Sequence, residues 1–534
     1  MQNIELSLIY PNNEALLRNE GGQDRPNISN EVLDELELNS LLDLKTSFLS
    51  DFFTTDENVI KYRQQVFADM IANPELCDIL LRVSPILSDI SEIRRISQDT
   101  EPSEGYLYSI TEIELYVSAM ELLADGLYPM IDNFKSEALI TFAKRIKELT
   151  QSEYYIDLNE RLKDLTSRVR EVKSVTIGVN LDSKLRPDTA GVLSVNNEKF
   201  KSGELLEKIL RLDFKNDEYT CISGLIPFKK GQSENQQIAL TNAFNSALNN
   251  VFKSSMREWR KTIQSYVLEN ADFLIRLLPE IEFVVKGTEL IKALCDTQNP
   301  MCFPEILPMD RKSFSAKGIY NPVVASKTNE KMVENDFDFD ENGTFYVLSG
   351  PNRGGKSVIT CAVGLTFALA QLGLMVPAQS AILSPVDAIF THFPTGSEDT
   401  IDKGRLGEEC ARLDEIFGCV TENSLVLLDE SLSSTGSFEG AYIAAEVLSG
   451  FSMARCRGIF STHLHELTAM IPEINEKCVA DGGIKIDTLV AGIEEGERSF
   501  KIIRAKPNGK SYAKDIADKY GISLEHILAK IKKK

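Results

Sequence analysis

The most constraining feature of the chain is a glycine-rich loop that follows an apolar run, Val-Leu-Ser-Gly-Pro-Asn-Arg-Gly-Gly-Lys-Ser at residues 347–357. Its Gly-x-x-x-x-Gly-Lys-Ser spacing is that of a phosphate-binding P-loop. Glycines let successive backbone N–H groups turn toward phosphate oxygens. Lys356 supplies a positive charge for the β- and γ-phosphates, and the Ser357 hydroxyl is a Mg²⁺ ligand. The motif therefore predicts a strand, a nucleotide-binding loop and a helix that begins at Ser357.

The predicted ATP-binding residues form one continuous segment. They are Gly350, Pro351, Asn352, Arg353, Gly354, Gly355, Lys356 and Ser357. The residues that follow, Val358 to Leu374, are apolar and nearly free of helix breakers, which is the context that a P-loop requires. The alternative is a glycine-rich turn that only connects a strand to a helix.

A second apolar run ends in two acids. Leu425-Val-Leu-Leu-Asp429 is typical of a buried strand, and Glu430 follows it directly. We predict that Asp429 holds Mg²⁺ together with Ser357, and that Glu430 polarises the attacking water as a general base. The alternative is a strand end capped by two solvated acids.

A third apolar run, Phe460-Ser-Thr-His463, places a histidine directly after a strand-like segment. The chain has four histidines, so this position carries weight. A histidine here can hydrogen-bond to the γ-phosphate and report its presence; an ordinary loop histidine is the alternative. With the two motifs above, the predicted catalytic residues are Lys356, Glu430 and His463.

The composition is that of an ordinary globular protein with several domains. Of the 534 residues, 43% are hydrophobic and 26% are charged. The N-terminus has no basic and apolar leader, and the longest apolar stretch, Cys361 to Val376, fits a buried helix better than a membrane span. Nine cysteines without a C-x-x-C pair indicate reduced thiols and argue against a zinc site. We therefore expect a cytoplasmic protein without a membrane partner.

The charge is strongly acidic but uneven. A net charge of −22 discourages non-specific binding to nucleic acid if it is evenly spread. Residues 172–235 carry ten Lys and Arg against nine Asp and Glu, so this segment is near neutral. On charge alone, ordinary local variation explains the segment as well as a nucleic-acid contact does.

The spacing of apolar residues predicts a helical part with a β-rich insert. From Glu31 to about Arg170, three- and four-residue spacing predicts helices. Examples are Val59 to Ile71, Glu75 to Ile86, Glu112 to Ile131 and Tyr154 to Val172, punctuated by Pro74, Pro85 and Pro129. Alternation at Ser174–Leu181 and at Gly191 to Val195, around a turn at Asp182 to Pro187, predicts two strands. Helical pattern returns from Gln236 to Leu277, so we expect an arm with a small module at its tip.

From about Pro300 the pattern becomes strand, loop and helix. The predicted strands are Thr344 to Leu348, Leu425 to Asp429 and Gly458 to Ser461. Strands that alternate with helices imply a mostly parallel sheet and an α/β domain. The segment from Ser511 to Lys533 predicts two short helices around a turn at Gly521-Ile-Ser523.

The three motifs resemble the ATPase motifs of the MutS family over roughly residues 320–530. The resemblance rests on Gly350-Pro-Asn-Arg-Gly-Gly-Lys-Ser357, Leu425-Val-Leu-Leu-Asp-Glu430 and Phe460-Ser-Thr-His463-x-x-Glu466-Leu467. It implies an ABC-type P-loop ATPase domain that uses ATP and Mg²⁺, with nucleotide held between the two chains of a homodimer. It also implies a helical core, a lever and a clamp that closes over DNA.

We therefore predict a multidomain protein: an all-α core and lever with a β-rich clamp insert, then the α/β P-loop ATPase domain and a C-terminal helix-turn-helix. The predicted domains are 1–171, helical core and outgoing lever; 172–235, clamp-like insert; 236–300, returning lever and core; 301–508, ATPase domain; and 509–534, helical dimerisation segment.

The chain departs from the family's pattern in places that bear on function. Members that recognise mismatches carry an N-terminal domain with a Phe-x-Glu wedge, which we expect to be missing here; Phe303-Pro-Glu305 should be structural. In the loop that resembles the family's signature loop, Leu406 stands where relatives carry a Ser that reaches the neighbour's γ-phosphate. The expected contacts across the dimer are therefore Gly404, Arg405 and Gly407.

The resulting interpretation is an ATP-gated dimeric clamp on mismatched, branched or distorted DNA, acting in repair or recombination. The candidate contacts to the DNA backbone are Lys184, Arg186, Lys199, Lys201, Lys229 and Lys230. One alternative is a mismatch-repair protein proper. The other is a nucleotide-switched protein scaffold without DNA binding, which the acidic charge favours and the retained arm and tip argue against.

Overall fold

The computed structural model describes residues 6–44, 49–98, 105–170, 173–181, 183, 187–196, 198–199, 201–202, 220–221, 272–340, 343–351, 354–394, 404–494, 497–505, 526–527 and 531. The chain divides into two compact units. The first unit contains Met1–Pro74, Asn133–Leu139 and Glu282–Lys534, and the second contains Glu75–Asp132 and Ile140–Ile281. Within the described ranges, no helix has both the length and the apolar character that a bilayer crossing needs.

The helices and strands are numbered in chain order. The helices are α1 (Asn13–Glu20), α2 (Asn30–Glu35), α3 (Leu38–Leu42), α4 (Glu57–Ala72), α5 (Pro74–Gln98), α6 (Gly105–Leu127), α7 (Glu137–Thr150), α8 (Glu153–Arg170), α9 (272–296), α10 (Pro322–Thr328), α11 (Lys356–Gln371), α12 (Gly404–Cys419), α13 (Ser437–Ala454) and α14 (His465–Ala480). The strands are β1 (Ser174–Leu181), β2 (Pro187–Asn196), β3 (Lys201–Ser202), β4 (Thr220–Cys221), β5 (Glu305–Ile306), β6 (Phe314–Ile319), β7 (Asn335–Phe339), β8 (Phe345–Ser349), β9 (Ser380–Leu383), β10 (Ile389–His392), β11 (Leu425–Asp429), β12 (Arg457–Thr462), β13 (Ile486–Glu494) and β14 (Glu497–Arg504). Short 3₁₀ turns occur at Ser50–Phe52, Tyr128–Asn133 and Met309–Arg311.

A six-stranded sheet forms the centre of the first unit, in the order β10-β11-β12-β8-β13-β14. All neighbouring strands are parallel except β13 and β14. Every residue of β8, β11 and β12 is buried, as expected for parallel strands that helices cover on both faces. The three strands predicted beside the sequence motifs and the mostly parallel sheet are confirmed. The sequence pattern does not signal β10, β13 or β14.

The strand register brings three strand ends to one edge of this sheet. Asp429 at the end of β11 pairs with Ser461 of β12, and Thr462 pairs with Ser349 at the end of β8. In open parallel sheets, ligands bind in the crevice outside the carboxyl ends of the strands. The segments that follow β8, β11 and β12 therefore meet at one place.

Helices pack on both faces of the sheet. α12, α13 and α14 contribute apolar side chains to a buried cluster on one face. There Phe451 stacks on Phe345, with ring centroids 5.4 Å apart, and on Phe417 at 4.5 Å. α11 covers the opposite face so closely that a Cβ added to Gly364 would lie 2.6 Å from Leu427. The sheet edge that carries the motifs is thus held between two packed layers.

A second sheet of four strands, in the order β5-β9-β6-β7, belongs to the same unit. Phe314 of β6 stacks on Phe367 of α11, with ring centroids 4.7 Å apart. Glu305 of the Phe-x-Glu sequence lies in β5 and pairs with Ile382. The predicted structural role of that sequence agrees with this pairing.

The N-terminal residues pack onto the sheet of the first unit. The backbone N–H of Asn27 donates to the Asp387 carbonyl at 2.7 Å. The side-chain amide of Gln371, at the end of α11, donates to the carbonyls of Thr54 at 3.3 Å and Val386 at 2.9 Å. The helical periodicity of the sequence continues without a break past Pro74. It therefore does not signal that Met1–Pro74 belongs to the unit with the sheet and Glu75–Asp132 to the other unit. The domain boundaries from the sequence stay predictions.

The second unit contains α6, α8, nearly all of α5 and most of α7, with an antiparallel hairpin of β1 and β2. The predicted helices and both predicted strands of the insert are present. A break at Pro85 was wrong, because α5 continues through it to Gln98. Proline removes the hydrogen bond to Leu81, which is 43% exposed, so water can reach that side of the helix. Residues 236–271 of the predicted returning helix lie outside the described residues, and the described residues 272–277 of it are helical.

The predicted C-terminal helix-turn-helix falls mostly outside the described residues. Of that segment, residues 526–527 and 531 are described and are helical. The helix-turn-helix stays a prediction.

Truncation of Phe451 should destabilise the first unit. Phe451→Ala removes a fully buried ring between Phe345 and Phe417 and should cost about 3–5 kcal/mol in the free energy of unfolding. Phe438→Ala on the same helix is the control, because that ring is 78% exposed and its loss should cost well under 1 kcal/mol. Denaturant unfolding measures both variants. Equal losses would contradict this packing.

Candidate nucleotide site

The loop between β8 and α11 has two glycine positions that other residues would strain. Gly350 has a φ of 151°, and a Cβ there would lie 2.7 Å from the Ala491 side chain. Gly355 has a φ of 92° and directly precedes α11, which begins at Lys356, one residue earlier than predicted. The N-terminus of α11 therefore opens onto the loop, as an anion-binding site requires. Asn352 and Arg353 lie outside the described residues.

Lys356 is buried at the start of α11. Its Nζ donates to the carbonyls of Gly350 at 3.1 Å and Pro351 at 3.3 Å. Burial lowers the pKa of Lys356, while the nearby charges of Glu430 and Asp429 act in the opposite direction. A phosphate in the loop would add negative charge beside this amine and favour its protonated form.

Asp429 is buried next to the same loop. The pKa of Asp429 is raised, mainly by burial and also by the charge of Glu430. A hydrogen bond with Ser357 and the charge of Lys356 act in the opposite direction. In the described structure its Oδ1 is buried without a hydrogen-bond partner. An unpaired buried carboxylate oxygen beside a hydroxyl is a donor set that suits Mg²⁺, which prefers oxygen ligands and completes its shell with water and phosphate. Ser357 and Asp429 therefore fit this ion.

No larger metal cluster occurs in the described ranges: no group of three or more His, Cys, Asp or Glu side chains is arranged to hold a metal. Mg²⁺ sites at phosphates usually need only one or two carboxylates.

The backbone after β11 is unusual. Glu430 and Leu432 have φ values of 48° and 62°, which non-glycine residues rarely adopt. The Glu430 N–H donates to the Ser461 carbonyl of β12 at 2.9 Å. The Glu430 side chain is half-buried and faces the cavity described next.

A cavity of about 530 Å³ adjoins the loop. It is lined by the first turn of α11 and Glu430, and by residues from the end of β6, α10, the segment before β7, β7 and β14. The side chains most relevant to a ligand are Tyr320, Asn321, Val324, Met332, Ser357 and Phe500. Such a volume suits a small-molecule ligand. Sequence reasoning missed all of these except Ser357, because they come from separate elements and share no local spacing.

His463 follows β12 at the same sheet edge. Its side chain is exposed. The backbone around it is fixed by Thr462, whose hydroxyl accepts a hydrogen bond from the Leu464 N–H at 3.1 Å. The structure thus brings the segments of Lys356, Asp429, Glu430 and His463 to one edge.

Another histidine, His392, was not among the predicted site residues. It ends β10, is 3% exposed, and lies beside β11, where it pairs with Leu428. Its Nδ1 lies 2.7 Å from the Ser431 hydroxyl, directly after Glu430. Burial lowers the pKa of His392 to about 4, with Arg412 adding to the decrease and Glu35 opposing it. The ring is therefore neutral at pH 7.

The residues predicted to act across a dimer form the first turn of α12. Gly404, Arg405 and Gly407 are helical; residues 398–403 of the predicted loop lie outside the described residues. Arg405 is 59% exposed and lies 3.6 Å from Glu409. Leu406 packs against the buried cluster under the sheet, which explains why an apolar residue occupies its position.

Two family models match separate parts of the chain. MutS domain V matches residues 346–530, which include the nucleotide-site candidates, and the MutS2 N-terminal domain matches residues 55–297. The chain belongs to the MutS family.

Individual MutS proteins agree with this assignment. The chain is 33% identical over 222 residues to DNA mismatch repair protein MutS 1 of Haloarcula marismortui, covering 40% of this chain and 23% of the relative. It is 26% identical over 442 residues to DNA mismatch repair protein MutS of Thermotoga sp. (strain RQ2), covering 81% and 50%. The same values for the protein of Thermotoga petrophila are 26% over 458 residues, 84% and 52%. The chain spans from about a quarter to about half of the length of these relatives.

The predicted DNA contacts of this MutS-family chain lie mostly outside the described residues. Lys184, Arg186, Lys229 and Lys230 belong to that set. Lys199 is exposed, and Lys201 lies in β3, which pairs with β4. Two short parallel strands and the β1–β2 hairpin make the described part of the insert β-rich.

Burial of His392 should make the first unit less stable in acid. The folded-state pKa of His392, about 4, lies below the ordinary value of 6.5. The contribution of the neutral ring to the free energy of unfolding is therefore present above pH 6.5 and is lost as the pH falls toward 4. Between pH 7 and pH 5, wild type should lose roughly 2 kcal/mol more stability than His392→Asn, which cannot titrate. Denaturant unfolding at both pH values measures the difference. Equal losses in the two proteins would show that folding does not lower the pKa of His392.

Proposed function

We propose that the chain binds ATP with Mg²⁺ and hydrolyses it to ADP and phosphate. The observation that carries this proposal is the meeting of three segments at one sheet edge: the Gly350–Ser357 loop, Asp429 with Glu430, and His463. Buried Lys356 and the unpaired Oδ1 of Asp429 are the groups that a triphosphate and its cation would engage. Membership of the MutS family supports the same activity.

Each residue has a proposed role in this reaction. The backbone N–H groups of the loop and the Lys356 amine bind the β- and γ-phosphates. Bound Mg²⁺ would be held by Ser357 and Asp429 and would neutralise charge on the phosphate oxygens. Glu430 accepts a proton from water, whose oxygen bonds to the γ-phosphorus as the bond to the bridging oxygen breaks. His463 hydrogen-bonds to the γ-phosphate.

The cavity next to the loop is the proposed site of the nucleoside. It joins the loop at Ser357 and is bounded by the apolar or aromatic side chains of Val324, Met332 and Phe500. A base can stack on such side chains while Asn321 and Tyr320 bound the polar edge.

The second part of the proposal is assembly. In a homodimer, the start of α12 would face the γ-phosphate bound by the other chain. Arg405 is exposed, and the first N–H groups of a helix favour an anion. Arg405 and these N–H groups would take the place of the Ser that relatives carry at the position of Leu406. Nucleotide that binds between two chains stabilises the dimer by mass action.

The third part concerns DNA. Relatives named as DNA mismatch repair proteins match up to 84% of this chain. The predicted insert, residues 172–235, has a near-neutral charge in an otherwise acidic chain. We propose that the dimer closes on mismatched, branched or distorted DNA under control of ATP, in repair or recombination. A nucleotide-switched scaffold without DNA binding is the second candidate, which the net charge of −22 favours.

Removal of the proposed base should stop hydrolysis and leave binding intact. Glu430→Gln keeps the size of the side chain and removes the proton acceptor, so single-turnover hydrolysis should fall by about 10²- to 10⁴-fold while ATP still binds. Glu439→Gln is the matched control, because Glu439 is exposed nine positions later and contacts Thr435. Hydrolysis by Glu430→Gln at the wild-type rate would show that Glu430 is not the base.

The Glu430→Gln variant with ATP should sediment as a dimer, and a monomer at micromolar concentration would contradict the proposed assembly.

Loss of two tip lysines should weaken DNA binding without regard to sequence. Lys229→Ala with Lys230→Ala should reduce affinity for all duplexes alike and lower the slope of binding against salt by about one unit per lost contact. ATP hydrolysis without DNA should not change. Lys144→Ala with Lys147→Ala, exposed on α7, removes the same charge elsewhere and serves as control. If wild type binds no duplex, mismatched, junction or single-stranded DNA at low salt with or without ATP, the DNA proposal is wrong and the nucleotide-switched scaffold is the correct interpretation.

A further inference from the structure

The side chain of Ser431 is held by contacts with one residue, His392. Its hydroxyl donates to the His392 carbonyl at 3.1 Å and lies 2.7 Å from Nδ1 of the same histidine. Nδ1 either donates to this hydroxyl or accepts its proton, depending on the tautomer of the ring, and in both cases the Ser431 side chain is hydrogen-bonded to His392. Both side chains are buried, so water does not compete for these bonds.

The fixed residue stands between two strained ones. Glu430 and Leu432 on either side of Ser431 have positive φ values. A backbone in this conformation persists only where its surroundings hold it. The Glu430 N–H is held by the Ser461 carbonyl from one side of β11, and Ser431 is held by His392 of β10 from the other. The direction of the Glu430 side chain therefore depends on both neighbouring strands.

The remaining surroundings of His392 lie in α12 and α2. Arg412 of α12 lowers its pKa, and Glu35 of α2 raises it. Arg412 itself pairs with Glu31 at 2.7 Å and Glu35 at 2.8 Å. Nε2 of His392 is buried, and a backbone hydrogen bond with Glu409 of α12 also raises the pKa of the ring. Nδ1 is the ring nitrogen that faces Ser431, which is next to the proposed base.

We propose that His392 is a positioning residue for ATP hydrolysis: through its bonds to Ser431 it orients the Glu430 carboxylate. This inference rests on the proposed function, in which Glu430 accepts the proton of the attacking water. His392 touches neither nucleotide nor water in this role. Its removal should change the rate of the chemical step and leave nucleotide binding unchanged, because the bonds of Lys356 and the loop are not altered.

Single-turnover hydrolysis and equilibrium binding of a non-hydrolysable ATP analogue test the proposal together. His392→Leu and Ser431→Ala should each slow hydrolysis by about tenfold to a hundredfold, the range expected for a small misplacement of a catalytic group. The dissociation constant of the analogue should change less than about twofold. The double variant should be no slower than the slower single variant, because both changes remove one interaction.

Two further variants separate positioning from general damage. His392→Asn can donate from its side-chain amide to Ser431 and should recover most of the rate. Thr391→Val, one position earlier in β10, removes a buried hydroxyl that has no partner in the described structure and should hydrolyse ATP as wild type does.

Several results would overturn the inference. They are a wild-type rate in His392→Leu, additive losses in the double variant, or loss of analogue binding in parallel with the rate in both His392→Leu and His392→Asn. If wild type hydrolyses ATP, Glu430→Gln does not, and His392→Leu is as fast as wild type, only this inference fails. If wild type does not hydrolyse ATP, the proposed function fails and the inference with it.

Discussion

The parallel pairing of β8 with β12, and of β12 with β11, is the constraint on which the rest of the first unit depends. The register sets Ser349, Thr462 and Asp429 at the same edge, so the three segments that follow start from neighbouring points. Helices on both faces exclude water from these strands and fix their spacing. A slip of one residue in either pairing would move each side chain to the opposite face, where it faces different helices, and would separate the candidate site residues.

Burial at this edge creates electrostatic costs that a ligand can relieve. Lys356 and Asp429 are both buried, and burial lowers the pKa of the amine and raises that of the carboxyl. Each shift disfavours the charged form of its group. A triphosphate and a cation would stabilise both charged forms, so the proposed ligand compensates for the cost of the site. His392, in contrast, is held neutral, which suits a residue that only orients its neighbour.

Local motifs predicted much of this site, and long-range contacts explain what they missed. Residues 350–357, Asp429 and Glu430 could be singled out as candidates because the chemistry sets their spacing along the chain. Phe500 and the other cavity residues could not, because they meet only after β14 joins the sheet. The bond between His392 and Ser431 likewise depends on the neighbouring positions of β10 and β11. Periodicity predicted helices well but did not show that a helix passes Pro85 or that the first 74 residues join the sheet unit.

The most direct test of the nucleotide site is a crystal structure of the protein with Mg²⁺ and a non-hydrolysable ATP analogue. We predict that the β- and γ-phosphates contact the N–H groups of residues 354–357 and the Lys356 amine. Mg²⁺ should lie beside Ser357 and Asp429, and the nucleoside should fill the cavity next to Phe500. Analogue bound elsewhere, or bound without contact to Lys356, would contradict the account.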